Sequence, residues 1–434
     1  MSFSLDEIAA QLQGYDPQSL RATDVSRFLA RLVEPVTETE EVGIFDALGR
    51  VLAHDLVSPI SVPPHDNSAM DGYAFDGAQL SPVAPLRLKV IGTALAGEPW
   101  AGRAGPGQAV KIMTGAVMPA GMDTVVPQEL ARLDAGSITL APGLLVRGDN
   151  RRRLGEDLRQ GEPALHQGDL VGPAALGMLA SLGLPRVRVL RKLRVAWFST
   201  GSELLSLGDV PRAGAVYDSN RYTVFGLLKR LGVQMTDMGV VPDEPDALEA
   251  AFTRAAAQAD AIITSGGVSV GEADHTKAMM KKLAGGSGGV AFWRIAMRPG
   301  RPMAVGRIAV PGPSGEHSAL MFGLPGNPVA VMVTFLAFVR PALLQMMGAR
   351  AGAPPLLRAR SLEPMRKKPG RTEYQRGTVS TTADGTLQVR TTGNQGSGVL
   401  SSMAQANGLI VLHHAQGNVA AGDDVDVMMF EGAI

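Results

Sequence analysis

The stretch AIITSGGVSVGEADHTKAMMKKL, residues 261–283, decides the fold class of this chain. Residues 261–264 form a short apolar run that predicts a buried strand, and a loop rich in glycine and serine follows it. Residues 275–283 then predict a helix. A strand, a loop of small residues and a helix in this order are typical of a parallel sheet covered by helices.

The same alternation extends outward in both directions, over residues 190–346. Strands are predicted at 195–198, 233–241, 291–297, 303–306 and 319–322, and helices at 221–230, 246–257 and from 328 onward. The pattern predicts a central α/β domain whose sheet is mostly parallel and covered on both faces.

The sequence outside residues 190–346 shows other patterns of secondary structure. The first fifty residues predict helices, with Ser4 and Thr23 as capping residues before acidic first turns. Short β-like runs between Gly and Pro turns occupy residues 57–147. The sequence patterns before and after this section resemble each other, which suggests that the section is inserted into one domain. The predicted division is an elongated N-terminal domain over 1–56 and 148–187, a β-rich insertion domain over 57–147, an α/β domain over 188–350 and a small C-terminal β domain over 351–434.

Composition and charge exclude several classes of protein. The 434 residues carry 41 Lys and Arg against 41 Asp and Glu, which disfavours a strongly basic surface for nucleic acid or an anionic membrane. Cysteine is absent, so disulfides, thiolate metal sites and a cysteine nucleophile are excluded. The first residues do not form a secretory signal, and the apolar stretch at 329–339 is too short to cross a bilayer. We expect a soluble, cytoplasmic protein.

Three loops follow strands of the predicted α/β sheet. They are STGSEL at 199–204, TSGGVSVGEADHT at 264–276 and GLPGNP at 323–328. Small residues let backbone N–H groups approach a ligand, and Pro328 suits the first position of a helix whose free N–H groups point outward. None of the loops is a Walker A or GxGxxG motif. Taken singly, each also fits an ordinary strand-to-helix turn; three in one domain favour an anionic ligand.

Charged residues accompany these loops. Glu203, Asp243, Glu272 and Asp274 fit the one or two carboxylates that Mg²⁺ takes beside phosphate oxygens. The alternative is that Glu203 and Asp274 cap helices or pair with arginine. The cluster Arg294, Arg298 and Arg301 fits a tetrahedral oxyanion, or it protects an edge strand from pairing. No nucleophile–base pair is apparent, and His413 and His414 are interpreted as structural.

Several motifs in order resemble one known family, the molybdopterin molybdenumtransferases and the related gephyrin E domain. The resemblance spans about residues 20–430, and its motifs are PPHDNSAMDGYAF (63–75), KIMTGAVMP (111–119), NRRRLGEDL (150–158), FSTGSEL (198–204), VYDSN (216–220), TSGGVSVGEADHT (264–276), AMRPGRP (296–302), GLPGNPV (323–329), GRTEYQRG (370–377) and TGNQGSG (392–398).

The resemblance implies a fold, a reaction and an assembly. The fold is a multidomain α/β plus β protein whose central domain is of the molybdopterin adenylyltransferase type. The reaction joins adenylylated molybdopterin with molybdate, with Mg²⁺ as cofactor, to give molybdenum cofactor and AMP. The assembly is an elongated homodimer in which the active site lies between the α/β domain of one subunit and the insertion domain of its partner.

The resemblance also implies roles for residues at matching positions. Catalytic roles fall on Asp71, Thr114, Asp157, Glu203, Asp243 and Asp274, and of these Glu203, Asp243 and Asp274 would hold the metal. Molybdate contacts fall on Arg376 and Ser397. Other substrate contacts fall on Ser199, Thr200, Gly201, Asp218, Ser265, Gly266, Gly267, Ser269, Arg294, Arg298, Arg301, Pro325 and Pro328.

Two departures and two alternatives accompany this interpretation. Arg298 and Arg301 stand where lysine is common in the family, and Ser202 replaces a frequent acid beside Glu203. The α/β domain also resembles that of an adenylyltransferase, which would consume ATP. A gephyrin-like scaffold without enzymatic activity is the second alternative. The sequence does not separate molybdate from tungstate, because the two oxyanions have nearly equal size and the same charge.

Overall fold

The computed structural model describes residues 4–12, 14–267, 275–284, 289–312, 315–350 and 354–430. Within these residues, three six-stranded sheets dominate the fold. One belongs to the predicted α/β domain, one to the β-rich section before it and one to the C-terminal section. Smaller two-stranded pairings accompany the first two sheets, and one of them, Leu204–Leu205 with Val216–Tyr217, lies within the α/β section.

The central sheet is mostly parallel, as predicted. Its strands lie in the order Gln234–Val241, Arg194–Thr200, Ala261–Ser265, Gly315–Leu324, Pro302–Gly312 and Val290–Arg294. The first four run parallel, and the last two add antiparallel pairings at one edge. Ser199 pairs with Ser265, and Ser265 with Leu324, so the carboxyl ends of three neighbouring strands meet at one edge of the sheet.

Helices cover both faces of this sheet because its strands are apolar on both sides. Val195 and Trp197 pack into one core, and the alternate residues Ala196 and Phe198 pack into another. The helices of this domain are Ser219–Leu231, Pro245–Gln258, His275–Leu283 and a long helix made of Pro328–Thr334, a π-helical segment Phe335–Val339 and Arg340–Met346.

The long helix corrects one expectation from the sequence. The apolar stretch was expected to stop at residue 339, but the helix continues through Arg340 to Met346. Its 19 residues are long and apolar enough to cross a membrane by length and composition. However, 72% of its most apolar window is buried inside the protein, as in the core helix of a soluble protein.

The N-terminal residues confirm one predicted helix cap and correct another. Ser4 caps Leu5–Gln11 in a reciprocal capping box with Glu7. The next helix begins earlier than expected, at Ala22, after Arg21 and without a side-chain cap from Thr23. Residues before position 50 are also not all helical, since Thr39–Gly43 is a strand that pairs with Arg186–Leu190 and leads into the 3₁₀ turn Ile44–Ala47. The helix Pro173–Ser181 precedes Arg186–Leu190.

The β-rich section forms its own sheet. Its strand order is Thr124–Pro127, Gly72–Phe75, Gln108–Ile112, Leu86–Ala94, Ser137–Leu140 and Arg132–Asp134, with 3₁₀ turns at Gly77–Gln79 and Gln128–Leu130. Two short pairings flank it, Leu56–Val57 with Pro163–Leu165 and Asn67–Ser68 with Arg151–Arg152. Chain segments before and after the sheet thus meet beside it.

The C-terminal strands close into a small barrel. Thr372–Thr381 pairs on one side with Leu387–Thr391 and on the other with Gly408–Leu412, and Leu357–Ser361 and Asp424–Met429 complete the ring. The short helix Leu400–Gln405 precedes Gly408–Leu412. The predicted strand at 291–297 is wrong in its extent: it ends at Arg294, and Met297–Arg298 instead pairs with Thr372–Thr381 of the barrel.

Candidate functional site

A large cavity lies where the carboxyl ends of the parallel strands meet the C-terminal barrel. Its volume is about 1150 Å³. The α/β domain contributes loops after three strands, and the barrel contributes Arg371 and the segment 395–398. We call this hollow the main cavity. Its position matches the general rule that open α/β sheets bind ligands beyond the carboxyl ends of their strands.

All three loops singled out from the sequence contribute to the main cavity. The lining includes Thr200, Gly201 and Glu203 from the first loop, Gly266 and Gly267 from the second, and Pro325, Gly326, Asn327 and Pro328 from the third. Pro328 occupies the first turn of the long helix, as expected, with Asn327 at the N-cap. A further strand-to-helix segment, Val216 to Asn220, adds to the wall.

Two glycines allow the first and second loops to pack closely. Gly266 has a φ of +90°, and a Cβ there would lie 2.4 Å from the carbonyl oxygen of Thr200. Gly267 has a φ of +64°, and its Cβ would lie 2.3 Å from the Thr276 side chain. Both positions therefore require glycine on steric and conformational grounds.

Two of the predicted metal-binding carboxylates lie in the cavity wall. Glu203 and Asp243 both line the cavity. The Thr276 hydroxyl donates to Asp243 Oδ1 over 3.1 Å. The third predicted acid, Asp274, lies outside the described residues, as does Ser269. Within the described part of the chain, no cluster of three or more metal-ligand side chains occurs.

Arginine side chains give the cavity a cationic wall. Arg298 and Arg301 line it, and neither makes an ion pair with a carboxylate of the described chain. Arg371 also lines the cavity, but its Nη2 lies 2.7 Å from Glu373 Oε1. Arg376 is buried, and burial together with the charge of Arg298 lowers the pKa of its guanidinium to about 10.

Arg376 lies beneath the cavity wall and supports it. Its Nη2 donates to the carbonyl oxygens of Asn394 (3.2 Å) and Gly396 (2.9 Å), and its Nε donates to Ser402 Oγ (3.0 Å). The Arg376 backbone N–H donates to Gln395 Oε1 over 2.7 Å, and Gln395 Nε2 donates to the Arg376 carbonyl oxygen over 3.1 Å. The residue predicted to contact molybdate therefore anchors the loop that presents Ser397 to the cavity.

Two buried side-chain oxygens of the wall residues have no hydrogen-bond partner among the described residues. Asp218 and Asn220 are 3% and 7% exposed, and both line the cavity. Asp218 Oδ1 accepts from the Arg221 backbone, and Asn220 Nδ2 donates to the Gly326 carbonyl over 2.7 Å. Their other oxygens, Asp218 Oδ2 and Asn220 Oδ1, are buried and accept no hydrogen bond from the part of the chain that the structure describes. Such atoms are costly unless a ligand or water donates to them.

Sequence reasoning missed several residues of the wall. Asn220 belongs to the VYDSN motif, but the sequence analysis predicts a role only for Asp218 of that motif. The sequence signal that points to Asn220 is a polar amide two residues after Asp218, which caps the helix Ser219–Leu231. The other missed residues with polar side chains are Tyr217, Ser219, Asn327, Arg371 and Gln395.

Other predicted residues lie away from the main cavity of the same chain. Ser199 and Ser265 are buried within the sheet, where their hydroxyl oxygens are 2.9 Å apart. Arg294 lines a separate, smaller pocket. Asp157 is exposed in the segment that follows the insertion sheet.

Asp71 and Thr114 form a second polar site on the surface of the insertion domain. Asp71 Oδ1 accepts from the backbone N–H and from the hydroxyl of Thr114, each over 2.7 Å. These bonds, with the nearby charge of Lys111, hold the pKa of the Asp71 carboxyl below its ordinary value. The structure thus brings this pair together, but not with Glu203 and Asp243 in one chain.

Comparison with known proteins gives the class to which this fold and site belong. Residues 21–183 match the model of the MoeA N-terminal region (domain I and II), residues 196–345 that of a probable molybdopterin binding domain, and residues 358–430 that of the MoeA C-terminal region (domain IV). The chain is therefore a multidomain protein of the MoeA type, with matched N-terminal and C-terminal regions on either side of the central domain.

Full-length relatives narrow the class to one family. The molybdopterin molybdenumtransferase of Haemophilus influenzae is 41% identical over 407 residues, which cover 93% of this chain and 97% of that protein. The molybdopterin molybdenumtransferase of a Nostoc species is 35% identical over 90% of this chain and 88% of its own length. A crystal structure of the molybdopterin biosynthesis moeA protein from Pyrococcus horikoshii OT3 superposes with a TM-score of 0.76 at 26% identity, over 95% of this chain and all of that one. The chain belongs to the molybdopterin molybdenumtransferase family, and the family and fold class predicted from its sequence are confirmed.

Proposed function

We propose that this protein inserts molybdenum from molybdate into adenylylated molybdopterin and releases AMP, the last step of molybdenum cofactor synthesis. The observation that carries the proposal is the main cavity of about 1150 Å³. Oxyanion-type loops surround it, together with Arg298 and Arg301, which make no ion pair within the described chain, and the carboxylates of Glu203, Asp218 and Asp243. Family membership supplies the identity of the two substrates.

The cationic wall answers the main physical difficulty of this reaction. Molybdate is a dianion and the adenylate carries a pyrophosphate, so their mutual repulsion opposes simultaneous binding. Arg298 and Arg301 offer planar donor forks to both anions, and the buried charge of Arg376 adds to the positive potential. Cleavage of the phosphoanhydride then depends on positioning and charge stabilisation, as phosphoryl transfer generally does.

The carboxylates fit a magnesium ion. Mg²⁺ commonly takes one or two protein carboxylates and completes its shell with substrate phosphate oxygens and water. Glu203 and Asp243 are the described residues that would hold it, and Asp274 is the third candidate from the sequence. A bound Mg²⁺ would neutralise phosphate charge during the cleavage of the anhydride.

Asp218 and Asn220 fit a role in shaping the wall against the substrate. Asp218 Oδ1 accepts from the Arg221 backbone N–H, and Asn220 Nδ2 donates to the Gly326 carbonyl, so the two side chains hold neighbouring segments of the main cavity in place. We therefore assign to this pair the positioning of the wall that orients the substrate.

The remaining predicted residues fit a homodimer. We propose that Asp71 and Thr114 of one subunit complete the main cavity of its partner, since the same chain leaves them outside that cavity. Asp157, at the junction of the insertion with the N-terminal domain, would serve the same interface. The four-part domain division and a cytoplasmic location are part of this proposal.

The direct test combines the purified chain, adenylylated molybdopterin, Mg²⁺ and molybdate, and measures AMP and active cofactor. We expect AMP release that depends on molybdate and falls by about 100-fold or more in Glu203→Gln and Asp243→Asn, as for other groups that stabilise developing charge. Glu249→Gln is the matched control, because Glu249 lies on the helix Pro245–Gln258 and pairs with Lys282 instead. Molybdate-independent adenylylation of molybdopterin by ATP would favour the adenylyltransferase; partner-peptide binding unaffected by these substitutions, without AMP release, would favour the scaffold.

A further inference from the structure

A buried threonine lies between two residues of the main cavity wall. Thr276 is 0% exposed, and its hydroxyl oxygen lies 3.1 Å from Asp243 Oδ1 and 3.5 Å from Thr200 Oγ1. Asp243 and Thr200 both line the main cavity, whereas Thr276 does not. The hydroxyl therefore contacts two wall residues without lining the cavity itself.

The Asp243 carboxylate is the main partner of this hydroxyl. A threonine hydroxyl carries one proton, which it donates to one acceptor at a time. Asp243 Oδ1 is closer than Thr200 Oγ1, and a carboxylate is a stronger acceptor than a neutral hydroxyl. The contact of 3.5 Å with Thr200 lies at the upper limit of a hydrogen bond, so the bond to Asp243 is the one that Thr276 forms.

Packing against Gly267 fixes the direction of the Thr276 hydroxyl. Thr276 is the second residue of the helix His275–Leu283. A Cβ at position 267 would lie 2.3 Å from the Thr276 Cβ and 2.5 Å from both its Cγ2 and its Oγ1, so the threonine side chain occupies the space that the glycine leaves free. A side chain that branches at Cβ has few χ1 rotamers, and close packing restricts them further. The hydroxyl is therefore held in place before any ligand binds.

Asp243 depends on Thr276 for its orientation. It lies between the strand Gln234–Val241 and the helix Pro245–Gln258, and its carboxylate makes no other hydrogen bond or ion pair among the described residues. Thr276 holds Oδ1, which leaves Oδ2 for a ligand. Carboxylates that bind metal ions are generally hydrogen-bonded in turn, and Mg²⁺ requires near-ideal octahedral geometry.

From these contacts we infer that Thr276 is a positioning residue, which orients the Asp243 carboxylate toward a divalent cation in the main cavity. The inference rests on the function proposed above, because that function assigns Mg²⁺ to Glu203 and Asp243. Thr276 belongs to the motif TSGGVSVGEADHT, but the sequence analysis predicts no role for it. The structure distinguishes it from the other hydroxyl residues of the motif by its bond to Asp243.

Titration of the full-length protein with Mn²⁺ in the presence of AMP tests the inference, with free Mn²⁺ counted by EPR spectroscopy. We expect Thr276→Val, which keeps the shape and removes the hydroxyl, to weaken Mn²⁺ binding by about tenfold or more, as the loss of other partners of metal-ligating carboxylates does. Thr276→Ser should restore most of the affinity, because it keeps the donor and loses only the restriction on its rotation. Thr276→Ala replaces Thr276→Val if the latter does not fold.

Thr124→Val is the matched control. Thr124 is also 0% exposed, and its hydroxyl also donates to a carboxylate, Asp123 Oδ1, over 2.9 Å, but it lies in the insertion sheet. It should lose stability as Thr276→Val does and leave Mn²⁺ binding unchanged. Wild-type Mn²⁺ affinity in folded Thr276→Val would show that Thr276 only fills the space beside Gly267, and it would overturn the inference. Equal losses in Thr276→Val and Thr276→Ser, or no saturable Mn²⁺ binding by the wild type, would also overturn it.

The reaction gives a second measurement that separates positioning from catalysis. In Thr276→Val we expect the Mg²⁺ concentration for half-maximal AMP release to rise by about tenfold, while the rate at saturating Mg²⁺ is largely retained. A lower rate at saturating Mg²⁺ with an unchanged half-maximal concentration would contradict the positioning role. Absence of AMP release in the wild type would contradict the proposed function, and the Mn²⁺ titration would still decide the role of Thr276.

Discussion

Gly266 shows how one residue shapes the main cavity. It follows the strand Ala261–Ser265 and faces the carbonyl oxygen of Thr200 at the end of the neighbouring strand. The sequence predicts a glycine-rich loop here, but any of its glycines could have been the critical one. The close approach of the two strand ends singles out Gly266, because a Cβ at this position would collide with backbone, which cannot rotate away.

We predict that Gly266→Ala weakens ligand binding in the main cavity. The substitution combines a strained φ, worth about 1–3 kcal/mol, with a backbone clash that displaces the loop. Calorimetric titration with AMP should show at least a tenfold loss of affinity, about 1.4 kcal/mol.

Gly385→Ala provides the matched control. Gly385 also has a positive φ, +86°, but a Cβ there would meet no atom within 4 Å. It should share the conformational cost without the loss of binding. Equal loss of AMP affinity in both variants would mean that strain alone, and not the packing of the two loops, explains the effect.

Arg376 is the second residue whose role depends on its surroundings. Its sequence motif gives a cation, whereas the structure buries that cation and turns its donors to the backbone of residues 394–396. Arg376 has no carboxylate partner among the described residues, and burial of such an arginine costs free energy, as its lowered pKa of about 10 indicates. We interpret Arg376 as a positioning residue for Ser397.

Arg376→Ala should weaken molybdate binding through this loop. Loss of the charged donors to the loop carbonyls should also lower the free energy of unfolding by about 2–3 kcal/mol. Molybdate affinity measured in Arg376→Ala, Ser397→Ala and the double variant gives the coupling between the two positions. Arg390→Ala, an exposed arginine of the same barrel, is the control. Fully additive losses would show that Arg376 does not act through Ser397.

At the scale of elements, Asp260 connects the N-terminal domain to the central sheet. Its carboxylate accepts from Arg191 at 2.7 and 3.0 Å, and from the backbone and side chain of Arg194, each over 2.8 Å. Burial alone would raise the pKa of Asp260, but the hydrogen bonds from Arg194 and Arg191 outweigh it and lower the pKa. Asp260 thus holds together the first residues of two neighbouring strands, Arg194–Thr200 and Ala261–Ser265, and the segment at Arg191 that precedes the first of them.

Asp260→Asn should destabilise the protein in a pH-dependent way. Because the folded pKa lies below the ordinary value of 3.8, the stabilisation is present above that value and is lost as the pH falls through the folded pKa. At pH 7 the variant should lose about 2–4 kcal/mol, since it leaves two partly buried arginines uncompensated.

Urea denaturation followed by tryptophan fluorescence, at pH 7 and at successively lower pH, measures this difference. The gap between the variant and the wild type should narrow as the pH falls toward and below 3.8. Asp24→Asn, which breaks an exposed pair with Arg27, should cost at most about 0.5 kcal/mol at any pH. A gap that stays constant with pH would contradict an ionic origin.

At the scale of the whole molecule, the proposed active site needs two chains. The main cavity holds Glu203 and Asp243, while Asp71 and Thr114 lie on the insertion domain and do not line it. In a dimer with a two-fold axis, each subunit can supply its Asp71 and Thr114 to the main cavity of the other subunit. Such a dimer has two equivalent sites.

Subunit mixing tests this arrangement. Asp71→Ala and Asp243→Asn should each be inactive alone, and their equimolar mixture should recover about a quarter of the wild-type AMP release, because about half of the dimers are mixed and each has one complete site. A mixture of Asp243→Asn with Glu203→Gln serves as the control and should remain inactive, since both substitutions fall in the same cavity. No recovery after verified subunit exchange would contradict a site shared between subunits.

The sequence by itself determined the alternation of strands and helices, the three loops of the main cavity and the family. These features follow from local periodicity, from small residues at strand ends and from ordered motifs, all of which act over short distances along the chain. The same local rules misplaced the cap of the helix Ala22–Leu32 and joined residues 291–297 into one strand, because barrel pairing of Met297–Arg298 overrides local preference.

Only the tertiary structure decided which polar groups face a ligand and which are buried. Arg294, Arg298 and Arg301 look equivalent along the chain, yet Arg298 lines the main cavity, Arg294 lines a separate, smaller pocket and Arg301 lines both. Likewise, Ser199 and Ser397 are both hydroxyls in small-residue stretches, but the sheet buries the first and the barrel presents the second. Burial and the direction of a side chain depend on contacts between segments hundreds of residues apart, and no local pattern encodes those contacts.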